Sequence, residues 1–510
     1  MKRRLRITTV SWIATALMGC SFGMTYESPE PETGTEGSVT VGATVGGPAV
    51  PRDTLDRTKA PEVGAPPDVQ LPEIQDYALD NGLRVVLVER HDLPLVSLVL
   101  QLRGGASVHS AHQAGLAALT ADMLDEGTAT RSALEISDAV DVLGATLTST
   151  AGYDASQLRL SVLADRFPRA LEILADVVMH PTFPEAELQR VKAERTARII
   201  QRGDVPAALA DDAFMKILYG EDHPYGAPLL GTVESLAALT RDDVVAYHRA
   251  RYRPGQATLV LAGDIGRERL DSLLTVAFPG WSGEGEAAPT LPAPAAVARR
   301  TLYVVDKPGA SQSEVRVGRV AVGRRTDAYY PLVVTNTVLG GSFTSRLNTR
   351  LREEKGYTYG AGSFLDMRRA PGPFEAAAAV ATAVTDSAVA DFVAEIDELH
   401  EQSVPGRELD RARSYLALRL PQRFESLDDV VRRLSELALN ELPLDFYEGY
   451  VAGVEGVSAD QVLRAAARYL DTRSMIIVVA GDRAAIEGPL EALGLGPVVV
   501  LDSAATRSNP

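Results

Sequence analysis

A single cysteine, Cys20, stands among 510 residues, so no internal disulfide can form. Basic charge is also short. Against 68 Asp and Glu there are 51 Lys and Arg, giving a formal net charge of −17 at pH 7, which opposes binding to the phosphates of nucleic acid. Beyond residue 20 no apolar run is long enough to cross a bilayer. Histidine is scarce at seven, and none stands in a recognisable zinc-binding pair. His400-Glu401 opens a His-Glu-x-x-His pattern, but Val404 occupies the second histidine place. His109 and His112 have no glutamate spaced to act as a base, and His223 in HPYG reads as a structural turn. Gly340-Gly341 is no phosphate loop, because no lysine follows at the required spacing.

What is present points to an exported, multidomain chain. Hydrophobic residues make up 45%, ordinary for a globular protein, and the length allows two to four domains. Lys2, Arg3, Arg4 and Arg6 precede a short apolar core that ends in LMGC at Cys20. This is the pattern of a signal peptide over residues 1–19. Leu-Met-Gly-Cys resembles a bacterial lipobox, which makes Cys20 the expected lipidation site and the periplasmic face of a membrane, the outer one favoured, the expected location. Residues 20–72, rich in Gly, Pro, Thr and Glu, read as a disordered tether. Contact with the membrane is then expected through the lipid anchor alone.

The remainder divides into a first domain (73–285), a Pro/Ala-rich linker (286–299), a second domain (300–500) and a tail (501–510). The two domains look like repeats. One closes with RYRPGQATLVLAGDI and the other with RYLDTRSMIIVVAGDR, each passing from a helix tail through an apolar strand into Ala-Gly-Asp. Each opens with two strand-type runs, LRVVLVER and LVSLVLQL, then RTLYVV and SEVRVGRVAVG. Helical periodicity follows over 166–178, 185–202, 384–401 and 407–420. Grouped strands and grouped helices predict an α+β class, with two tandem homologous α/β-sandwich domains.

Residues 115–128, GLAALTADMLDEGT, resemble the zinc-binding helix of the pitrilysin, insulinase and mitochondrial-processing-peptidase family, which reads approximately GLAHxLEHMxxxGT. The resemblance continues through HPYGAPLLGTVESLAALTRDDVVAYHRARYRP (223–254) and LGGSFTSRLNTRLREEKGYTYG (339–360), and it spans roughly residues 71–500. In the family, His-x-x-Glu-His supplies two zinc ligands on one helical face with a general base between them. Here Ala118, Ala121 and Asp122 occupy those three places. A third ligand, a glutamate about 76 residues on, corresponds by counting to Arg198; a slip of the helix register would admit Glu194 but restore no histidine. The resemblance therefore implies a half-clamshell of peptidase type that binds no zinc.

Other family positions are kept. Active relatives carry an arginine and a tyrosine seven residues apart on the wall opposite the metal, and Arg352 and Tyr359 match them. Alternatively, Arg352 forms a structural ion pair with Glu353 or Glu354 while Tyr359 packs internally. Arg346 reads as structural. Residues 144–156 lie where relatives have a strand whose edge pairs with substrate backbone, which makes Thr148 and Ser149 candidate substrate contacts; a covered edge fits equally. The expected function is a non-zinc-binding subunit of a heteromeric peptidase. A zinc-bearing paralogue would bring the metal, and this chain would bring Arg352, Tyr359 and half of a chamber for unfolded peptide. The alternative is a non-enzymatic structural or peptide-binding scaffold.

Overall fold

A computed structural model describes residues 72–501. The expected signal peptide, Cys20, the expected tether up to residue 71 and residues 502–510 lie outside the described residues. Twelve strands build two six-stranded sheets. The first contains β1 (Gln75–Ala78), β2 (Arg84–Glu89), β3 (Leu95–Arg103), β4 (Thr146–Ala151), β5 (Ala155–Leu163) and β6 (Ala257–Gly263), in the order β1-β2-β6-β3-β5-β4. The second contains β7 (Thr301–Asp306), β8 (Gln312–Val320), β9 (Ala361–Leu365), β10 (Pro373–Ala381), β11 (Ile476–Gly481) and β12 (Val498–Leu501), in the order β12-β7-β11-β8-β10-β9.

The repeat seen in the sequence is a repeat of topology. β2 and β6 pair in parallel and β6 and β3 antiparallel, as do β7 with β11 and β11 with β8. β4 and β9 are the matching edge strands. The opposite edges differ, because β1 runs antiparallel to β2 whereas β12 runs parallel to β7. Leu501, in β12, is buried. No helix or strand lies between Ala277, where the last helix of the first lobe ends, and Thr301.

The two lobes are not self-contained. A strand buried on one face alternates apolar and polar, whereas β6 and β11 are buried at every position, so both faces of each sheet need cover. Each lobe's own helices cover one face. The other face is covered by a helix from the opposite lobe. Helix Pro206–Tyr219 of the first lobe packs on β8 and β11, where Ala210, Ala213 and Phe214 join Ile476, Val478 and Ala480 in one core. Helix Leu427–Leu439 of the second lobe packs on β3 and β6, with Val430, Val431 and Leu434 in one core with Val86, Val99 and Val260. Gly318 of β8 makes room for this exchange. A Cβ there would come within 2.8 Å of the Phe214 ring and 2.0 Å of the Phe374 carbonyl oxygen.

Candidate functional site

The degenerate motif lies on the short helix Leu116–Asp122. Gly115 starts it at φ +90°, and a Cβ at that position would meet the Leu230 carbonyl oxygen at 2.9 Å. Leu116 and Leu119 enter the core of the first lobe, and Ala118 and Ala121 are buried with them. Neither alanine offers a donor or an acceptor.

Asp122 has a partner that the sequence reading missed. Counting along the family pattern leads to Arg198, but Arg198 lies on the exposed face of helix Glu185–Arg202. The side chain meeting Asp122 is Arg195, one helical turn earlier, through Nε at 2.8 Å and Nη2 at 2.6 Å. Arg195 shares the buried face with Leu188 and Val191, a spacing of three and four residues that brings side chains onto one helical stripe. Glu194, admitted by a register slip, is exposed and bound to Arg190 at 2.8 Å. Burial, with Glu126 and Asp122 nearby, raises the carboxyl pKa of the neighbouring Asp125.

These residues do not fit zinc. Two alanines supply no ligand, and the one carboxylate is already held by a buried guanidinium, whose charge would repel a cation. Among the described residues no three His, Cys, Asp or Glu side chains are grouped as a metal ion requires. His223 does form a turn: its Nδ1 accepts from the Tyr225 amide at 3.0 Å, capping residues 224–226.

The motif helix packs against β4, which carries Thr148 and Ser149. Among the described residues β4 pairs with β5 alone, and no described strand lies on its outer side. Thr148 is exposed, while Ser149 is half-buried with its hydroxyl oxygen lacking a hydrogen-bond partner.

Arg352 and Tyr359 belong to the second lobe. Residues Thr349–Glu354 wind as a π-turn, with the Lys355 amide donating to the Arg350 carbonyl at 3.2 Å, a geometry that recurs at functional sites. Arg352 lies 4.6 Å over the Phe343 ring and 3.5 Å from Glu353. Glu354 instead pairs with Arg350 at 3.0 Å. An exposed pair such as Arg352–Glu353 contributes little to stability. Tyr359 is 93% exposed, which removes the alternative that it packs internally. Phe343, 63% exposed, is a further surface residue that the sequence reading passed over. Asn348 was also missed. Its Nδ2 donates to the Phe343 carbonyl at 2.7 Å and its Oδ1 accepts from the Ala361 amide at 3.3 Å, tying the loop to β9. Arg346 makes a double contact with Glu408 at 2.9 Å, consistent with a structural part.

Two lobes, each a six-stranded sheet with helices, define an α+β class of fold. Residues 84–232 match the family model described as insulinase (peptidase family M16), and residues 238–416 match the peptidase M16 inactive domain. The chain belongs to the M16 peptidase family. It is 29% identical over 290 residues to an uncharacterized zinc protease of Mycobacterium leprae, covering 57% of this chain and 65% of the relative. A match of 24% over 397 residues to an uncharacterized zinc protease of Rickettsia felis covers 76% and 93%. The chain thus spans about two thirds of the length of the Mycobacterium relative. Among solved structures, the peptidase M16 inactive domain from Pseudomonas fluorescens aligns with a TM-score of 0.75 at 27% identity, covering 80% of this chain and 98% of that one. A protease from Helicobacter pylori aligns at 0.75 with 18% identity, covering 80% and 100%, which speaks to the fold alone.

Proposed function

We propose that this chain is the non-zinc-binding subunit of a heteromeric M16 peptidase, working with a zinc-bearing paralogue on unfolded peptides. The observation that carries the reading is a contrast. The motif helix has lost its metal chemistry to Ala118, Ala121 and the Asp122–Arg195 pair, while Tyr359 stays 93% exposed with no internal packing to explain it. The partner's zinc would polarise the scissile carbonyl and activate water. This chain's residues would do the rest. Arg352 offers fixed N–H donors to the carbonyl oxygen as it gains charge, and the Tyr359 phenol offers another. β4 would hold the peptide backbone at its open edge, with Thr148 and Ser149 beside it.

Co-expression with a zinc-bearing paralogue and hydrolysis of an unstructured peptide test the reading. Activity should require both chains. Full activity of the paralogue alone would overturn the proposal and favour a non-enzymatic scaffold. Cys20 is proposed to carry lipid at the periplasmic face of a membrane. Cys20→Ser should then release the protein from the membrane fraction, since buried acyl chains contribute about 0.8 kcal/mol per methylene. Persistence in the pellet after a high-salt wash would contradict lipidation.

A further inference from the structure

A cavity of about 470 Å³ opens on the first lobe, between helix Arg241–Arg251, the end of helix Phe167–Met179 and the loop that follows it. None of Thr148, Ser149, Arg352 and Tyr359 lines it. Arg241, Val245, His248 and Arg249 recur at helical spacing, so one face of helix Arg241–Arg251 forms a wall, with Tyr252 at its C-terminal cap.

The cavity is cationic in an acidic chain. Arg241, Arg249 and Arg253 line it and no Asp or Glu does, although the whole sequence carries a formal net charge of −17. Among the described residues none of the three makes an ion pair. Arg241 donates Nε to the Phe183 carbonyl at 2.7 Å and Nη2 to the Thr182 carbonyl at 2.8 Å. Arg253 donates Nε to the Arg249 carbonyl at 2.9 Å. Arg249 is exposed, and its guanidinium has no hydrogen-bond partner among the described residues. The helix's own acids, Asp242 and Asp243, stand in its first turn outside the lining, and Asp243 accepts from the Thr240 cap. Most of the N–H donors of three guanidinium groups are therefore free, and their forks match a carboxylate or a phosphate.

The other walls are flat and apolar. Phe183, His248, Tyr252 and Trp281 contribute rings, and Val245 an aliphatic side chain. His248 stacks on Tyr252 with centroids 4.8 Å apart and meets Phe183 edge-on at 5.4 Å. Burial, with Arg253 and Arg249 adding to it, pushes the His248 imidazole down to about 4, so this ring is a neutral wall at pH 7. Phe183 is held at φ +47°, a left-handed conformation that bulky residues rarely adopt. The two Arg241 bonds brace that strained loop, which fixes a guanidinium and a ring at the same cavity.

We propose that this cavity binds a small organic anion with a flat apolar body, an aryl carboxylate or aryl phosphate. Arg249, Arg253 and the donors that Arg241 has left take the anionic head, and the body lies against Phe183, His248 and Trp281. The volume suits such a ligand, and apolar walls with a few convergent polar groups are the usual form of a small-molecule site. The site is independent of the peptidase reading.

The test uses the full chain and two probes with one body, 2-naphthoate and 2-naphthyl phosphate. Both should bind saturably by calorimetry, and the tighter one identifies the head. The 2-naphthylmethylammonium cation, which keeps the rings and reverses the charge, should not bind. Inorganic phosphate, a head without a body, should bind far more weakly than 2-naphthyl phosphate. Arg249→Gln should weaken both anions about tenfold, the loss expected for one charge-assisted hydrogen bond. Arg249→Lys should recover part of that loss, and Arg249→Glu should abolish binding. The unfolding midpoint should not move in these variants, since Arg249 is exposed and unpaired. Trp281 is the only tryptophan among the described residues, so fluorotryptophan labelling in a Trp12→Phe background reports this cavity alone, and its fluorine resonance should shift as 2-naphthoate saturates. Failure of both anions to bind, unchanged affinity in Arg249→Glu, equal binding of the ammonium probe, or a fixed Trp281 resonance during binding would each overturn the site. Inorganic phosphate binding as tightly as 2-naphthyl phosphate would overturn the apolar half of the assignment.

Discussion

Arg195 donates to Asp122 from Nε and Nη2, at 2.8 and 2.6 Å, joining helix Glu185–Arg202 to the helix that carries zinc ligands in active relatives. A guanidinium with its side chain 4% exposed ties the motif helix to helix Glu185–Arg202. Removing the carboxylate would leave that charge buried and uncompensated. Asp122→Asn should therefore destabilise the fold by about 1–3 kcal/mol, less than for a fully buried pair because Asp122 is partly exposed. Denaturant unfolding checks this, and an unchanged midpoint would show that solvent already screens the pair.

The same pair governs an attempt to restore the metal. Ala118→His, Ala121→Glu and Asp122→His together re-create the motif by sequence, yet Arg195 remains with its charge directed at the site, and Ala121 is fully buried. Metal analysis after dialysis should find the triple variant well short of one zinc per chain. Stoichiometric zinc in that variant would mean that Arg195 swings clear.

The exchanged helices make the two lobes one folding unit. Phe214 and Leu434 are buried against sheets of the opposite lobe. Phe214→Ala or Leu434→Ala should each cost about 2–5 kcal/mol and lower a single shared transition. Cleavage within residues 283–299 should leave both fragments in one particle on size exclusion. Two separated transitions, or fragments that part, would show that the lobes are autonomous.

A carboxylate cluster at the lobe boundary makes stability depend on pH. Arg316 of β8 meets Asp211 of the exchanged helix at 2.8 Å, Glu314 at 3.0 Å and Glu375 of β10 at 3.1 Å. Burial pushes the Glu375 carboxyl up to about 7, opposed by Arg316 and reinforced by Asp211 and Asp366. A carboxyl whose folded pKa is raised favours the folded state when protonated, so its contribution is complete below the unfolded pKa and is lost as pH rises through about 7. Glu375→Gln should thus be more stable than the parent at pH 8, by about 1–3 kcal/mol, and nearly equal to it near pH 4.5. Parallel stability curves for the two proteins across that range would refute the assignment.

Much of this architecture can be read from local patterns. The β2, β3, β7 and β8 runs follow from their apolar, β-branched content, and helix Glu185–Arg202 from a period of 3.6. Helices Pro206–Tyr219 and Leu427–Leu439 escaped notice because their apolar faces answer to sheets far away in the chain. A clue existed in ATLVLAG and IIVVAG, strands apolar throughout and hence covered on both faces. Arg195 was hidden for another reason. Counting to a family position ignores which residues share a helical face, and Leu188 and Val191 indicate that face more directly. Tyr359 illustrates the opposite limit. It stands 93% exposed in the loop between the π-turn and β9, and no local periodicity encodes either.

Arg352 and Tyr359 offer the sharpest separation between a subunit that takes part in catalysis and one that only supports it. Neither side chain fills the core, so Arg352→Ala and Tyr359→Phe should leave the melting temperature and the size of any complex unchanged. In the proposed complex with a zinc-bearing paralogue, loss of a preorganised donor to the developing oxyanion would lower turnover by on the order of 10²–10³. Arg352→Ala should approach that loss, and Tyr359→Phe, which deletes one hydroxyl, should fall in the same direction by less. Because the donor matters most as the oxyanion forms, the deficit should appear in kcat with KM little changed. Arg352→Lys should recover only part of the rate, since an ammonium lacks the fixed planar fork of the guanidinium. Full turnover in the Arg352→Ala complex would remove the complementation mechanism, and a rise in KM alone would recast Arg352 as a peptide-holding residue.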